Sequence, residues 1–398
     1  MTSTAKTLAH LRDDIPLTRE VAYFQTGSHG PPPDTVLAVV RAETEFDAHH
    51  ALSSATAAAE LNEREEAARD KLAALLNVST EELAIAPNTS KAMESVMHGF
   101  DWRNGDEIVV SSLEHVSTAA TCQALRDDHG VRVRSVEADQ GDGAFLEQLE
   151  SELGDRSRLV VISEVASPDG RRLPAKEAIA VAHNKGVPVV VDGAQSVGQF
   201  PVDVAALGCD FYVGSGHKWL LGPRGIGYVC VATDRIVDFR PHFRPDVSPW
   251  QEASTKPTPL TARTQLEVGT YSAAPIIGLG RAIDILDEIG LDTIEAHVSR
   301  LSARLREAAS SLPGVEVLTP IDWARSAGIT TLRFDGFEAP ELKALVAKLG
   351  EDGVLVKFQW LTAPSDPTRV GMRISIASFN TEDEVRLLID RLKAHHKA

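Results

Sequence analysis

AKEAIAVAHNKGVPVVVDGAQS, residues 175–196, reads as a helix that ends on Gly186 and a strand that ends on Asp192. The strand, VPVVVD (187–192), is apolar at consecutive positions rather than at alternate ones. Such a run is buried on both faces, as a central strand is in a parallel sheet covered by helices. The same alternation extends in both directions. EIVVSS (107–112), VRVRSVEA (131–138) and RLVVISEVA (158–166) read as strands, with helical stretches near 117–128 and at FLEQLESEL (145–153). CDFYVGS (209–215) and GIGYVCVA (225–232) complete the series. Strands that alternate with helices in this way predict an α/β fold with a mainly parallel sheet.

Upstream, LNEREEAARDKLAALLNV (61–78) carries Leu61, Ala68, Leu72 and Leu75 on one helical face. Downstream, RPDVSPWQEASTKPTPLTARTQ (244–265) is loop-like. A long helical run from about 275 to 312 then leads to strands at 315–318 and 329–334. A helix near 339–350, a strand near 373–378 and a last helix near 382–396 follow. This change of pattern predicts an N-terminal segment (1–30), a large domain (31–280) and a smaller α+β domain (281–398).

The chain has 398 residues, of which 43% are hydrophobic and 24% charged, the balance of an ordinary globular protein. A net charge of -17 opposes binding to nucleic acid, because nothing offers phosphates a basic footprint. Cys122, Cys209 and Cys230 are scattered, without metal-type spacing, which suits a reducing compartment better than a disulfide framework. MTSTAKTLAHLRDDIPL (1–17) has no long apolar core of a signal peptide or membrane span. A cytoplasmic location is therefore expected.

Chemistry concentrates at two strand ends. Asp192 stands at the carboxyl end of a central strand, where open α/β sheets bind ligands, or it caps the following segment. In FYVGSGHKWLLGPRGIG (211–227), Lys218 stands alone among small, apolar and glycine residues. A lysine and a carboxylate at one sheet edge suggest pyridoxal phosphate (PLP). That cofactor forms a Schiff base with a lysine and needs an acid beside its pyridine nitrogen. It also needs a phosphate cup, ideally at a helix N-terminus. Thr89 and Ser90 in APNTSKAMESVMHGF (86–100) open a helix and serve as a cup or as a plain cap.

Together these stretches resemble the class V branch of the fold type I PLP enzymes. That family includes cysteine desulfurases, C–S lyases, selenocysteine lyases and isopenicillin N epimerase-like proteins. The resemblance runs from YFQTGSHGPPP (23–33) to RISIASFNTEDEV (373–385), and the pairing of VDGAQS (191–196) with SGHKW (215–219) is its most specific element. It implies a seven-stranded sheet in the large domain, an amino-acid substrate and a homodimer with shared active sites. Lys218 matches the Schiff-base lysine and Asp192 the pyridine-nitrogen partner. Gln195 matches the donor to the cofactor's phenolic oxygen, and His115 the imidazole stacked on the ring. Ser215, His217, Ser90 and the backbone at Thr89 match the phosphate cup. Gly269 and Thr270 match the pair that reaches the neighbouring subunit's phosphate. Arg373 matches the arginine that grips the substrate carboxylate, with Arg369 as the alternative, and Gly27, Ser28 and His29 line the mouth.

Two departures bear on activity. Cysteine desulfurases carry a mobile cysteine shortly before the carboxylate arginine, and VLVKFQWLTAPSDPTRVGMR (354–373) has none. Glu164, in ISEVAS, stands where the family has an asparagine or histidine near the substrate. A carboxylate there favours a cationic substrate group, serves as an acid or points away as a strand-end charge. The resemblance thus implies cleavage of a C–S (or C–Se) bond in a cysteine-like substrate without a protein persulfide. An aminotransferase or epimerase is the alternative, and a PLP-binding regulatory module lacks room for a DNA-binding domain before Tyr23. The loop at 244–265 and the mouth around His29 are expected to choose the substrate side chain.

Overall fold

Short apolar runs between helices become the seven strands of a central sheet. In chain order they are β1 (Leu83–Ala86), β2 (Glu107–Ser111), β3 (Arg132–Val136), β4 (Ser157–Ser163), β5 (Val189–Asp192), β6 (Phe211–Ser215) and β7 (Gly227–Val231). The structure, a computed structural model, describes residues 7–50, 53–236, 260–267, 269–361 and 369–396. Across the sheet the order is β1-β7-β6-β5-β4-β2-β3. β3, β2, β4, β5 and β6 run parallel, and β7 is antiparallel to both β6 and β1. β5, β6 and β7 are buried at every residue, which is why their sequences show no alternation. Edge strand β3, RVRSV, is mostly exposed and carries its arginines there.

The chain places β3 on one side of β2 and then returns to set β4 on the other. That reversal opens a crevice beyond the carboxyl ends of β2 and β4, the position where such sheets bind ligands. β5 and β6 end at the same edge, so Asp192 and the Lys218 loop face it.

A second sheet holds β8 (Val315–Val317), β9 (Ile329–Phe334), β10 (Lys357–Trp360) and β11 (Val370–Ser375) in the order β10-β11-β9-β8, antiparallel throughout. The N-terminal segment joins this unit. Ala22–Tyr23 pairs in parallel with Val354–Leu355, and the Ser375 N–H donates to the Phe24 carbonyl at 2.8 Å. The chain thus carries Gly27 and Ser28 to the crevice from the small sheet's side.

The structure departs from expectation in three places. The long helical run is two helices, Ala273–Ile289 and Leu291–Ser310, broken at Gly290 with φ +89°, a conformation glycine adopts without steric cost. The domain boundary expected at 280 falls inside the first of these helices. Ile276, Leu279, Ile283 and Leu286 of that helix are buried, and it packs on the helices Asp34–His50 and Ala55–Leu76. The strand expected at 373–378 starts earlier, at Val370, and β10 lies in a stretch that carries no strand expectation. Among the described residues no helix is long and apolar enough to cross a membrane.

Candidate active site

β6 ends at Ser215, and the chain folds back through a tight loop. The Gly216 N–H donates to the Ile226 carbonyl (3.1 Å) and the Gly222 N–H to the Gly216 carbonyl (2.8 Å). Leu221 adopts φ +57°, an unusual conformation for a bulky side chain and of the kind that clusters at functional sites. The N-terminal segment pins the loop from outside. The Gly30 N–H donates to the His217 carbonyl (2.8 Å), and a Cβ on Gly30 would lie 2.0 Å from the Lys218 carbonyl oxygen. Only glycine allows that approach. Among the described residues Lys218 makes no ion pair. Burial lowers its pKa from 10.5 to about 8, against the pull of Asp192, so the neutral amine is accessible near neutral pH.

Asp192 closes β5, in register with Ser163 on β4 and Val213 on β6. Its Oδ1 accepts the Ala194 N–H at 2.9 Å, a local turn rather than a helix cap. Burial raises its pKa, while Lys218 and the Ala194 N–H hold it down.

His115 caps the helix Val116–His129. The Ser117 N–H donates to His115 Nδ1 (3.2 Å), so the neutral ring carries its proton on Nε2. Burial, then the charges of Lys218, Lys357 and Arg373, lower its pKa to about 4. The ring is therefore neutral at pH 7. At the helix Thr89–Met97, Asn88 Oδ1 takes the Lys91 N–H (2.9 Å). The N–H groups of Thr89 and Ser90 stay at the open helix end without intrahelical acceptors. Among the described residues Thr89 Oγ1 is buried without a partner. Ser215 Oγ and His217 Nδ1 share a hydrogen bond of 3.1 Å. Thr89, Ser90, His115, Asp192, His217 and Lys218 all line one cleft of about 200 Å³. The helix end and the orphan hydroxyl suit a phosphate, the Asp192 carboxyl a protonated ring nitrogen, and the Lys218 amine an aldehyde. These residues fit PLP.

On the small-sheet side, Arg373 is buried in β11. Its Nη1 donates to the Ser167 carbonyl (3.1 Å) and to Ser167 Oγ (2.8 Å), and its Nη2 to Ser28 Oγ (2.7 Å). Its Nε has no partner among the described residues. Ser28 and Ser167 both line the cleft. Arg369, the alternative, is exposed just before β11 begins. His29 does not line the cleft: its Nε2 accepts from Arg224 Nε (3.2 Å), and its ring lies 5.9 Å from that of His217. Burial, then the charges of Arg224 and His217, lower its pKa to about 4. Gly269 and Thr270 are exposed and do not line the cleft of their own chain.

Two further side chains have defined partners. Gln195 lines the cleft, but its amide is already engaged. The indole Nε1 of Trp219 donates to Gln195 Oε1 (2.9 Å), and because that nitrogen only donates, the amide oxygen must face it. The amide nitrogen therefore donates to the Gly27 carbonyl (2.9 Å) and Ser167 Oγ (3.3 Å). Gln195 thus ties the N-terminal loop to the large domain. Glu164 points away from the cleft: successive side chains alternate, so Ser163, Val165 and Ser167 face the cleft and Glu164 does not. The Tyr212 hydroxyl donates to it at 2.7 Å behind the sheet edge, and burial raises its pKa.

The acid beside Asp192 is Glu114, which nothing in the sequence singles out. Its carboxyl accepts from Ser111 Oγ (2.5 Å), the Ser163 N–H (2.7 Å) and Ser163 Oγ (2.9 Å). Burial, with a contribution from the Asp192 charge, raises its pKa to about 8 against the Ser111 hydrogen bond. Its one sequence signal is that it precedes His115. Most of the loop at 244–265 lies outside the described residues, and the short helix Ala262–Leu266 overlaps its end.

A family model described as aminotransferase class-V matches residues 23–388. A probable cysteine desulfurase of Methanothermobacter thermautotrophicus is 30% identical over 394 residues, 96% of each chain. A cysteine desulfurase of Enterobacter sp. strain 638 is 32% identical over 422 residues, 97% of each chain. Among solved structures, a lysine-to-alanine variant of C-DES, with glycine covalently linked to the PLP cofactor, superposes with a TM-score of 0.86 at 27% identity. It covers 96% of this chain and 98% of its own. The cystine C–S lyase C-DES in complex with its reaction product cysteine persulfide superposes with a TM-score of 0.85 at 27% identity, over 95% of this chain and 98% of its own. The likeness reaches from the N-terminal strand to the last helix and takes in the cleft. The chain belongs to the class V aminotransferase family and is a cysteine desulfurase-like, PLP-dependent enzyme of fold type I.

Proposed function

We propose that this enzyme cleaves the C–S bond of a cysteine-derived substrate by β-elimination, without passing sulfur through a cysteine of its own. One observation carries this reading: no thiol stands at the cleft. The chain has three cysteines, and all three are buried. Cys122 lies in the helix Val116–His129, Cys230 in β7 and Cys209 just before β6. Burial raises the pKa of each thiol, of Cys122 to about 12, so none offers a nucleophilic thiolate at neutral pH.

PLP, when bound, takes up the electron pair released as the substrate loses its α-proton. The residues of this chain do the rest. Arg373 grips the substrate carboxylate with its planar fork. Lys218, with a pKa of about 8, receives the α-proton near neutral pH. Asp192 holds a proton at the ring nitrogen, and His115, neutral at pH 7, carries its own proton on Nε2. For L-cystine the balance is cystine plus water giving pyruvate, ammonia and cysteine persulfide. For L-cysteine it is cysteine plus water giving pyruvate, ammonia and hydrogen sulfide. The exposed Gly269 and Thr270 suit a homodimer in which each chain completes its partner's phosphate cup.

Product analysis after incubation of the PLP-loaded enzyme with L-cysteine and L-cystine tests the reading. Pyruvate and ammonia in equal amounts support it. Alanine with released sulfur would mean desulfuration, and neither product would turn the assignment to amino transfer or epimerisation.

A further inference from the structure

Ser167 follows β4 and lines the cleft, yet its hydroxyl is satisfied on one side only. Arg373 Nη1 donates to Ser167 Oγ at 2.8 Å, and Gln195 Nε2 donates to it at 3.3 Å. A guanidinium and an amide nitrogen only donate, whereas a hydroxyl has two lone pairs and one proton. Both lone pairs of Ser167 Oγ are therefore taken, and its proton is left over. Among the described residues nothing accepts that proton, although the residue is only 8% exposed. Three other serine hydroxyls of the cleft differ. Ser163 gives its proton to Glu114 Oε2 (2.9 Å) and Ser117 to His115 Nδ1 (2.8 Å). Ser28 Oγ receives one hydrogen bond, from Arg373 Nη2, and keeps a lone pair free. The small sheet holds the segment around Ser167 in place. Thr331 Oγ1 donates to the Pro168 carbonyl (2.7 Å) and Thr319 Oγ1 to the Asp169 carbonyl (2.6 Å), and Thr331 is the register partner of Arg373.

A buried hydroxyl that can only donate calls for an acceptor, because leaving it without one costs its desolvation. Since Ser167 lines the cleft, the acceptor within reach of its proton is a bound molecule. The guanidinium strengthens this donor: a charged N–H on the oxygen polarises the O–H bond. Such a donor suits an oxygen that carries negative charge. We propose that Ser167 is a binding residue whose hydroxyl donates a hydrogen bond to an anionic oxygen of the bound ligand. Two oxygens of that chemistry come with the ligands of this cleft, the phenolate of PLP and the carboxylate of the amino acid. The contacts to Pro168 and Asp169 fix the donor before the ligand arrives, so little ordering remains to be done on binding. This inference rests on the reading of the cleft as a PLP site for an amino acid.

The test uses the PLP-loaded enzyme, as wild type, Ser167→Ala and Ser167→Thr. In the alanine variant the carbonyl of residue 167 can still take Arg373 Nη1 (3.1 Å), so the guanidinium keeps a partner. Two readouts separate the two oxygens. One is the visible absorbance without amino acid, followed against pH. The other is the titration of that absorbance with L-alanine and with L-alaninamide, which keeps the amine and lacks the carboxylate. Donation to the phenolate favours the form without the Schiff-base proton. If that oxygen is the acceptor, the midpoint in Ser167→Ala should rise by about one pH unit or more, the effect of one hydrogen bond to a charged group. If the carboxylate is the acceptor, the midpoint should stay. L-alanine should then bind about tenfold or more weakly, with L-alaninamide within about twofold of wild type. Either result supports the proposal, and Ser167→Thr, which keeps the hydroxyl, should restore most of the wild-type behaviour. An unchanged midpoint with unchanged binding would overturn it. So would equal weakening of both ligands at an unchanged midpoint, or a threonine variant as impaired as the alanine one, since each points to packing. Should the alanine variant fail to fold, Ser167→Cys, close in volume and a weak donor, reads the same quantities. If the protein takes up PLP and no amino acid perturbs its spectrum, the amino-acid reading fails while the midpoint still tests Ser167. A protein that takes up no PLP would overturn both.

Discussion

Glu114→Gln should stabilise the protein by an amount that grows with pH. Two serine hydroxyls and one backbone N–H surround the carboxyl, and burial beside Asp192 raises its pKa from 4.5 to about 8. In the unfolded chain the group ionises near its ordinary value. Between the two values the folded chain holds a proton that the unfolded chain has released. A group with more protons bound in the native state loses stability as pH rises. Its contribution is fully present below about pH 4.5 and is lost progressively up to about pH 8. The slope is about 1.4 kcal/mol per pH unit, so the wild type gives up roughly 3 kcal/mol by pH 7 and roughly 5 kcal/mol by pH 8. Glutamine does not titrate. Its amide oxygen can keep the Ser163 N–H, and its NH₂ can donate to a serine oxygen that otherwise donates. Urea unfolding of both proteins, followed by tryptophan fluorescence from pH 4 to pH 9, gives the difference directly. The variant should gain on the wild type across the window and run parallel to it outside. A difference independent of pH would show that Glu114 ionises in the fold as it does in the unfolded chain, and the account of the buried acid beside Asp192 would be wrong.

Lys218→Ala should abolish the yellow colour of the PLP-loaded protein and its fixation by borohydride, with an unchanged far-ultraviolet circular dichroism spectrum. A coloured, reducible variant would refute the assignment of Lys218. Replacing Cys122, Cys209 and Cys230 together by alanine should leave turnover within a few-fold of wild type, at a stability cost of about 1–2 kcal/mol per buried site. Loss of turnover without unfolding on replacing any one would restore a persulfide route. Trp219→Phe should lower stability by about 1–3 kcal/mol, because the buried Gln195 amide oxygen loses its donor. Thermal unfolding would read this, and an unchanged midpoint would show that the Gln195 link carries no weight.

The lysine, the aspartate and the helix-start serine and threonine were legible because each sits in a local pattern with a physical meaning. Asp192 ends an apolar run, Lys218 lies in a glycine-rich turn after another, and Thr89 and Ser90 open a helix. Two other buried or half-buried side chains had no such local signal. In sequence Glu114 reads like any surface glutamate, and Lys357 like any lysine in a stretch noted only for its lack of a cysteine. The three cysteines were legible as buried side chains, and the absence of a cysteine from residues 354–373 is a fact of sequence alone.

Sequence by itself determined the α/β pattern, the family resemblance and the sheet edge that carries the chemistry. The reason is that continuous apolar strands can only be buried on both faces, and a parallel sheet gathers their carboxyl ends. Tertiary structure decided which neighbour of each motif matters. One step along a strand turns Glu164 away from the cleft and Ser163 toward it, where Ser163 meets Glu114 from another strand's end. Trp219 sets the direction of the Gln195 amide from 24 residues away, and antiparallel register brings Lys357 beside Arg373. Those pairings depend on register and on the facing of side chains between segments far apart in the chain, which only the packed fold specifies.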